Sequence, residues 1–164
     1  MKNAVQIIIV ILASGFTLHV HARQAAARSN SEPVIEITFE HKGCCGPCPV
    51  EKITFKLDGN HTYVGVANVG RLGTYRPKSG DQAFEVLVRV LERLDFFSLR
   101  SDYARSIGPQ KTIITVKKGN ETKSVRVNEA QGESPIEMTI IIAYIEKVMS
   151  KIVWEKMSDA RPLA

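Results

Sequence analysis

The sequence predicts an α+β fold: a two-layer domain with a mainly antiparallel sheet of about six strands, in the order ββββαββα, and two helices on one face. Three observations carry this. Short segments of strict apolar/polar alternation are separated by Gly-containing turns, two longer segments have apolar residues at helical spacing, and no β-helix-β crossover unit repeats. Composition agrees with a globular chain: 164 residues, 44% apolar and 24% charged, with 11 Gly and 7 Pro, which excludes a collagen-like, coiled-coil or disordered chain.

The elements follow in order. Ile35, Ile37 and Phe39 alternate with Glu36, Thr38 and Glu40, as a half-buried strand requires. Residues 43–49, Gly-Cys-Cys-Gly-Pro-Cys-Pro, cannot be regular structure. Alternation resumes with Ile53, Phe55 and Leu57 inward and Lys52, Thr54 and Lys56 outward. The outer faces Glu/Thr/Glu and Lys/Thr/Lys suit direct antiparallel neighbours, each cross-strand pair contributing only ~0.2–1 kcal/mol. Asp58-Gly59-Asn60 is a hairpin turn in which Gly supplies a positive φ. A third strand over 62–67 and a short fourth over 73–76 close this segment at Pro77. Ser79 and Gln82 form a capping box ahead of a helix over 80–94, whose inner face is Phe84, Leu87, Val88, Leu91 and Leu94. Residues 95–110 are irregular and pinned by Phe96, Phe97, Leu99 and Tyr103. Two more strands, 112–118 and 122–127, flank Gly119-Asn120. Ser134, Pro135 and Glu137 then start a helix over 135–153 with the stripe Ile136, Ile140, Ile141, Tyr144, Ile145, Val148 and Ile152.

The first residues read as a targeting signal. Lys2 precedes an apolar stretch over 4–18, and Val20-His21-Ala22 suits signal-peptidase cleavage after Ala22. The unbroken apolar run 7–13 is too short to cross a ~30 Å hydrocarbon core, so no stable membrane span is expected after cleavage. The expected organisation is a signal peptide (1–22), a linker (23–32), one α+β domain (33–157) and a C-terminal tail (158–164). Cleavage removes one Lys from a net charge of +5, and also His19 and His21, leaving His41 and His61 with all three Cys. The location is then periplasmic or extracellular, where disulfides persist.

The Cys segment is where any chemistry concentrates, and it admits several readings. Cys45-Gly46-Pro47-Cys48 carries the letters of a thioredoxin-type redox site, but there the first Cys opens a helix that lowers its pKa, whereas here Pro49 and a strand follow. His41, Cys44, Cys45 and Cys48 offer imidazole and thiolate ligands of the type that zinc or copper takes, but without the second pair that a structural zinc site uses. A disulfide closing the loop between the first two strands is the third reading. Three Cys leave one thiol over, able to link two chains.

The segment Gly43-Cys44-Cys45-Gly46-Pro47-Cys48-Pro49-Val50 resembles the Gly-Cys-x-Gly-x-Cys-Pro-Val-Tyr hallmark of the bacterial family catalogued as domain of unknown function 6438. Asp58-Gly59, Tyr63-x-Gly65, Gly73, Asp95-Phe96-Phe97-Ser98-Leu99, Asp102-Tyr103, Pro135 and Trp154 add to the resemblance, which spans about 34–154. It implies that Cys44 and Cys48 are the hallmark pair and form the disulfide, with Cys45 the additional thiol through which a disulfide-linked dimer could form. Glu51 stands where the family usually has Tyr, and Ser106-Ile107-Gly108-Pro109 where Thr-Asp tends to follow, so a ligand role of those positions in relatives does not carry over. The resemblance implies a fold and a location and adds no reaction.

Other chemistry finds little footing. His41 next to Cys44 is the one pairing that could activate a nucleophile. No phosphate-cradling Gly loop, HExxH or EF-hand spacing occurs. Lys117, Lys118, Lys123 and Arg126 share one hairpin without interleaved aromatics, the mark of a solvated edge rather than a nucleic-acid surface. Asn60-His61-Thr62 and Asn120-Glu121-Thr122 are formal glycosylation sequons, without meaning in a bacterial chain. The expectation is therefore an exported, non-catalytic module that binds an unidentified protein or small ligand, with no cofactor and no catalytic residue. The alternatives are a thiol-disulfide protein using Cys45 and Cys48 and a soft-metal loop.

Overall fold

The computed structural model describes residues 32–157 except 45, 81, 105–109 and 129–133. The signal, most of the linker and the tail expected at 1–22, 23–31 and 158–164 lie outside the described residues, as does Cys45. Among the described residues there are seven strands: β1 (Val34–Lys42), β2 (Val50–Lys56), β3 (Thr62–Ala67), β4 (Gly73–Pro77), β5 (Lys111–Lys118), β6 (Glu121–Asn128) and β7 (Trp154–Lys156). They form one sheet in the order β6-β5-β1-β2-β3-β4-β7, with every neighbouring pair antiparallel. Two helices, α1 (Ala83–Arg93) and α2 (Ile136–Lys151), complete an α+β fold.

One face of the sheet is apolar and the other polar, because each central strand alternates in step with its neighbours. Phe39 stands opposite Ile53 and Ile114, and Ile37 opposite Phe55 and Val116. These side chains are fully buried in one core with Phe84, Leu87 and Leu91 of α1 and Met138, Ile141 and Ile145 of α2. Both helices therefore share the layer over that face. On the outer face Glu36, Thr38 and Glu40 stand opposite Lys56, Thr54 and Lys52, the pairing anticipated from the sequence. Ion pairs Lys52–Glu40 (3.0 Å) and Lys117–Glu36 (2.7 Å) cross this face.

The departures from expectation have local causes. The seventh strand, β7, is three residues long, too short for any periodicity. It pairs with β4 because Trp154 packs against Tyr63 (ring centroids 5.7 Å) and donates its indole N–H to the Met149 carbonyl. Ile35, expected inward, is 39% exposed because a bulge between Val34 and Glu36 puts Val34 in the core instead. Leu57 is 53% exposed because β2 ends one residue before it. The helices are shorter than expected, and neither capping box forms: Gln82 and Pro135 are the N-caps and neither makes a side-chain cap bond. Ser134 Oγ donates instead to the Asn128 carbonyl (3.4 Å). In α2 the buried set is Met138, Ile141, Ile142 and Ile145, whereas Ile136 and Tyr144 are exposed. Apolar residues occupy most sides of that helix, so packing, and not periodicity, selected its inner face.

The irregular stretch after α1 holds a 3-10 turn at Phe96–Ser98, with Phe96 buried. Residues 101–103 then run beside β6: Tyr103 N–H donates to the Arg126 carbonyl and Arg126 N–H to the Ser101 carbonyl. An ion pair between Arg126 and Asp102 covers the same edge, which removes an open strand from the β6 side of the sheet. On the same hairpin the Lys118 ammonium lies 5.5 Å above the Phe97 ring. No helix among the described residues is long and apolar enough to cross a membrane.

Candidate functional site

The loop 43–49 joins β1 to β2 at one end of the sheet, beside the loop 68–72 that joins β3 to β4. Cys44 and Cys48 meet across it at disulfide distance, with Cα atoms 5.6 Å apart, inside the ~4.4–6.8 Å range of protein disulfides. Gly46 and Pro47 form the exposed bend between them, and β2 begins two residues after Cys48. No helix follows the second Cys, so the thiolate-stabilising helix N-terminus of a thioredoxin-type site is missing. Gly43 lies against the root of the loop, where a Cβ would come within 3.1 Å of Val50 Cγ2. Asn68, in the left-handed region (φ 55°), donates its amide to the Cys48 carbonyl at 3.0 Å, tying the two loops together.

Beneath the loop lies a polar network on the buried face. His41 continues the inward series Ile37, Phe39, and Glu51 continues Ile53, Phe55. The register places His41 directly opposite Glu51, and Glu51 opposite Gly65. His41 is 7% exposed and Glu51 13%. His41 Nδ1 lies 3.0 Å from Glu51 Oε1, and the imidazole stands edge-on to Phe39 (centroids 4.6 Å). Tyr63 also donates a hydrogen bond to the Glu51 carboxylate. The bond from His41, foremost, holds the Glu51 carboxyl below its ordinary value of 4.5; burial opposes this, and Tyr63 and the charge of Arg71 add to it. Glu51 is thus a carboxylate at neutral pH, which can only accept, so Nδ1 of His41 carries the proton. Burial, then the Glu51 carboxylate, pushes the Tyr63 phenol well above its ordinary range.

The two groups are thus moved apart, Glu51 down and Tyr63 up. The network is a clamp that fixes the ends of β1, β2 and β3 under the Cys loop. His41, expected as a metal ligand or as a partner for Cys44, faces inward with its Nδ1 on Glu51. Among the described residues no three His, Cys, Asp or Glu side chains are grouped to hold a metal ion.

The family described as "Domain of unknown function (DUF6438)" matches residues 35–149, from the second residue of β1 nearly to the end of α2. The chain belongs to this family. The match takes in the Cys loop and the clamp and stops short of β7, whose pairing with β4 lies beyond it. No curated protein matches the chain.

Of His41, Cys44, Cys45 and Cys48, named from the sequence, the structure brings Cys44 and Cys48 together and pairs His41 with Glu51, while Cys45 lies outside the described residues. Glu51 and Tyr63 were missed as a pair, though a signal existed. Glu51 has the parity of Ile53 and Phe55, so an acid at an inward position was already written in the alternation. Its partners lie ten and twelve residues away on other strands, and register alone identifies them.

Proposed function

We propose that the protein is exported and acts in the bacterial envelope as a non-catalytic module, with the Cys loop as a rigid recognition element closed by a Cys44–Cys48 disulfide. The observation that carries this reading is the loop's construction. Cys44 and Cys48 of the loop pair with each other, a strand and not a helix follows them, and the base of the loop is clamped by a carboxylate committed to two donors. A loop that is to be recognised gains from such rigidity, since ordering is not lost again on binding. Export supplies the oxidising surroundings that the disulfide needs.

Intact-mass measurement and non-reducing peptide mapping of protein recovered from periplasm or medium test the reading together. The expected mass lacks residues 1–22, and the expected map joins Cys44 to Cys48. Retention of the first 22 residues refutes export. Catalytic insulin reduction that disappears in Cys45→Ser establishes the thiol-disulfide reading in place of the module, and a metal retained by three free thiols establishes the soft-metal loop.

A further inference from the structure

At the end of the sheet opposite the Cys loop, the β2–β3 turn and the β4–β7 pair enclose a cleft of about 440 Å³, lined among others by Asn60, His61, Thr62, Arg76, Lys78 and Glu155. Its size falls in the range of small-molecule sites. Its floor is built. His61 is 3% exposed, its Nδ1 accepts the Lys56 backbone N–H at 3.1 Å, and its ring stands edge-on to Phe55 (centroids 5.3 Å). The turn that carries it is held by Asp58, whose carboxylate accepts from Asn60 N–H (3.0 Å) and Asn60 Nδ2 (2.9 Å). Gly59, at φ 77°, has nothing within 4 Å of where a Cβ would stand, which leaves this side of the cleft open.

The walls are cationic. Arg76 Nε and Nη2 both approach one oxygen of Glu155, each at 3.4 Å, a contact that orients the guanidinium while leaving most of its donor capacity. Lys78 lines the same cleft, and its backbone N–H is fixed on the Val153 carbonyl at 2.8 Å. The lining holds two cations and one carboxylate, and the carboxylate of Asp58, in the adjoining turn, accepts from Asn60. We propose that this cleft is a binding site for a small solute bearing an oxyanion group, phosphate or carboxylate, held by Arg76 and Lys78 over the His61 floor. A guanidinium presented by a carboxylate and joined by an ammonium is suited to such a group. The site is independent of the Cys loop and does not rest on the reading of that loop.

The test is an NMR titration of the full mature chain with inorganic phosphate and, separately, with succinate, following the side-chain resonances of Arg76, Lys78 and His61. Saturable shifts confined to the cleft are expected. Arg76→Gln and Lys78→Gln should each weaken binding roughly tenfold or more, as loss of a charged hydrogen-bond donor does. Glu155→Gln keeps an acceptor for the guanidinium and removes the competing charge, so it should retain or strengthen binding, a result that general loss of structure would not give. Added salt should weaken it. No saturable shift with either anion overturns the proposal, as do shifts spread over surface lysines or an affinity unchanged in both cation variants.

Discussion

Gly65→Ala tests the clamp most directly. Gly65 lies opposite Glu51 on one side and Gly73 on the other. Its φ is not among the positive values found at Gly59, Gly73 and Gly119, so space and not backbone conformation excludes a side chain. An added Cβ would sit far inside van der Waals contact of the Arg71 carbonyl oxygen, 2.9 Å from the Tyr63 hydroxyl and 2.9 Å from Val69 Cγ2. The first contact is with backbone, so the whole 68–72 loop must move. Overpacking of this kind costs about 1–3 kcal/mol. Displacing the Tyr63 hydroxyl from Glu51 adds about 1.5–3 kcal/mol, the worth of a hydrogen bond to a charged group. The expected loss is about 3–5 kcal/mol, a large part of the ~5–15 kcal/mol that holds a domain together. Urea unfolding reads it as a lower midpoint at unchanged slope. Gly59→Ala is the control: a positive φ with open space around it should cost only about 1–2 kcal/mol. In a cycle with Tyr63→Phe, which removes the clashing hydroxyl, the combined cost should be less than the sum of the two. A Gly65→Ala loss under about 1 kcal/mol, or strict additivity with Tyr63→Phe, would refute this account of the packing.

Three further outcomes are expected. Because the Glu51 carboxyl lies below its ordinary 4.5 in the folded state, its contribution is fully present above that value, shrinks below it and is gone once pH has fallen through the lowered folded value; the stability difference between wild type and Glu51→Gln, measured by urea unfolding from pH 7 to 3, should be flat down to about pH 4.5 and then narrow. Replacing Cys44 and Cys48 by Ser opens a loop of only a few residues, so chain entropy predicts a loss of about 2 kcal/mol; a loss equal to that of reduced wild type is the check, and an unchanged urea midpoint would mean that the pair is not bonded in the purified protein. Truncation after Ile152 removes β7 with the indole that covers Tyr63, and should lower the thermal midpoint by several degrees and promote association through the bared β4 edge, read by light scattering; a monomer of unchanged midpoint would show β7 to be dispensable.

Much of this molecule was legible in one dimension because alternation and helical spacing are local properties. Phe39, Ile53, Phe55, Phe84, Leu87 and Leu91 could be placed in the core from their neighbours alone, and Glu36–Lys56 and Glu40–Lys52 could be matched across two strands from charge. The Cys motif and its family were equally a matter of adjacent letters. Tertiary structure decided what depends on register and on space. It decided the bulge that turns Ile35 outward, the face of α2, the capture of β7 by Trp154, and the cleft that sets Arg76 and Lys78 against Glu155 and the turn carrying His61, segments distant in sequence. Above all it decided His41. Three residues before Cys44 in the sequence, it read as a ligand or activator; strand pleating sends it to the opposite side of the backbone from Glu40 and Lys42, where antiparallel register meets it with Glu51.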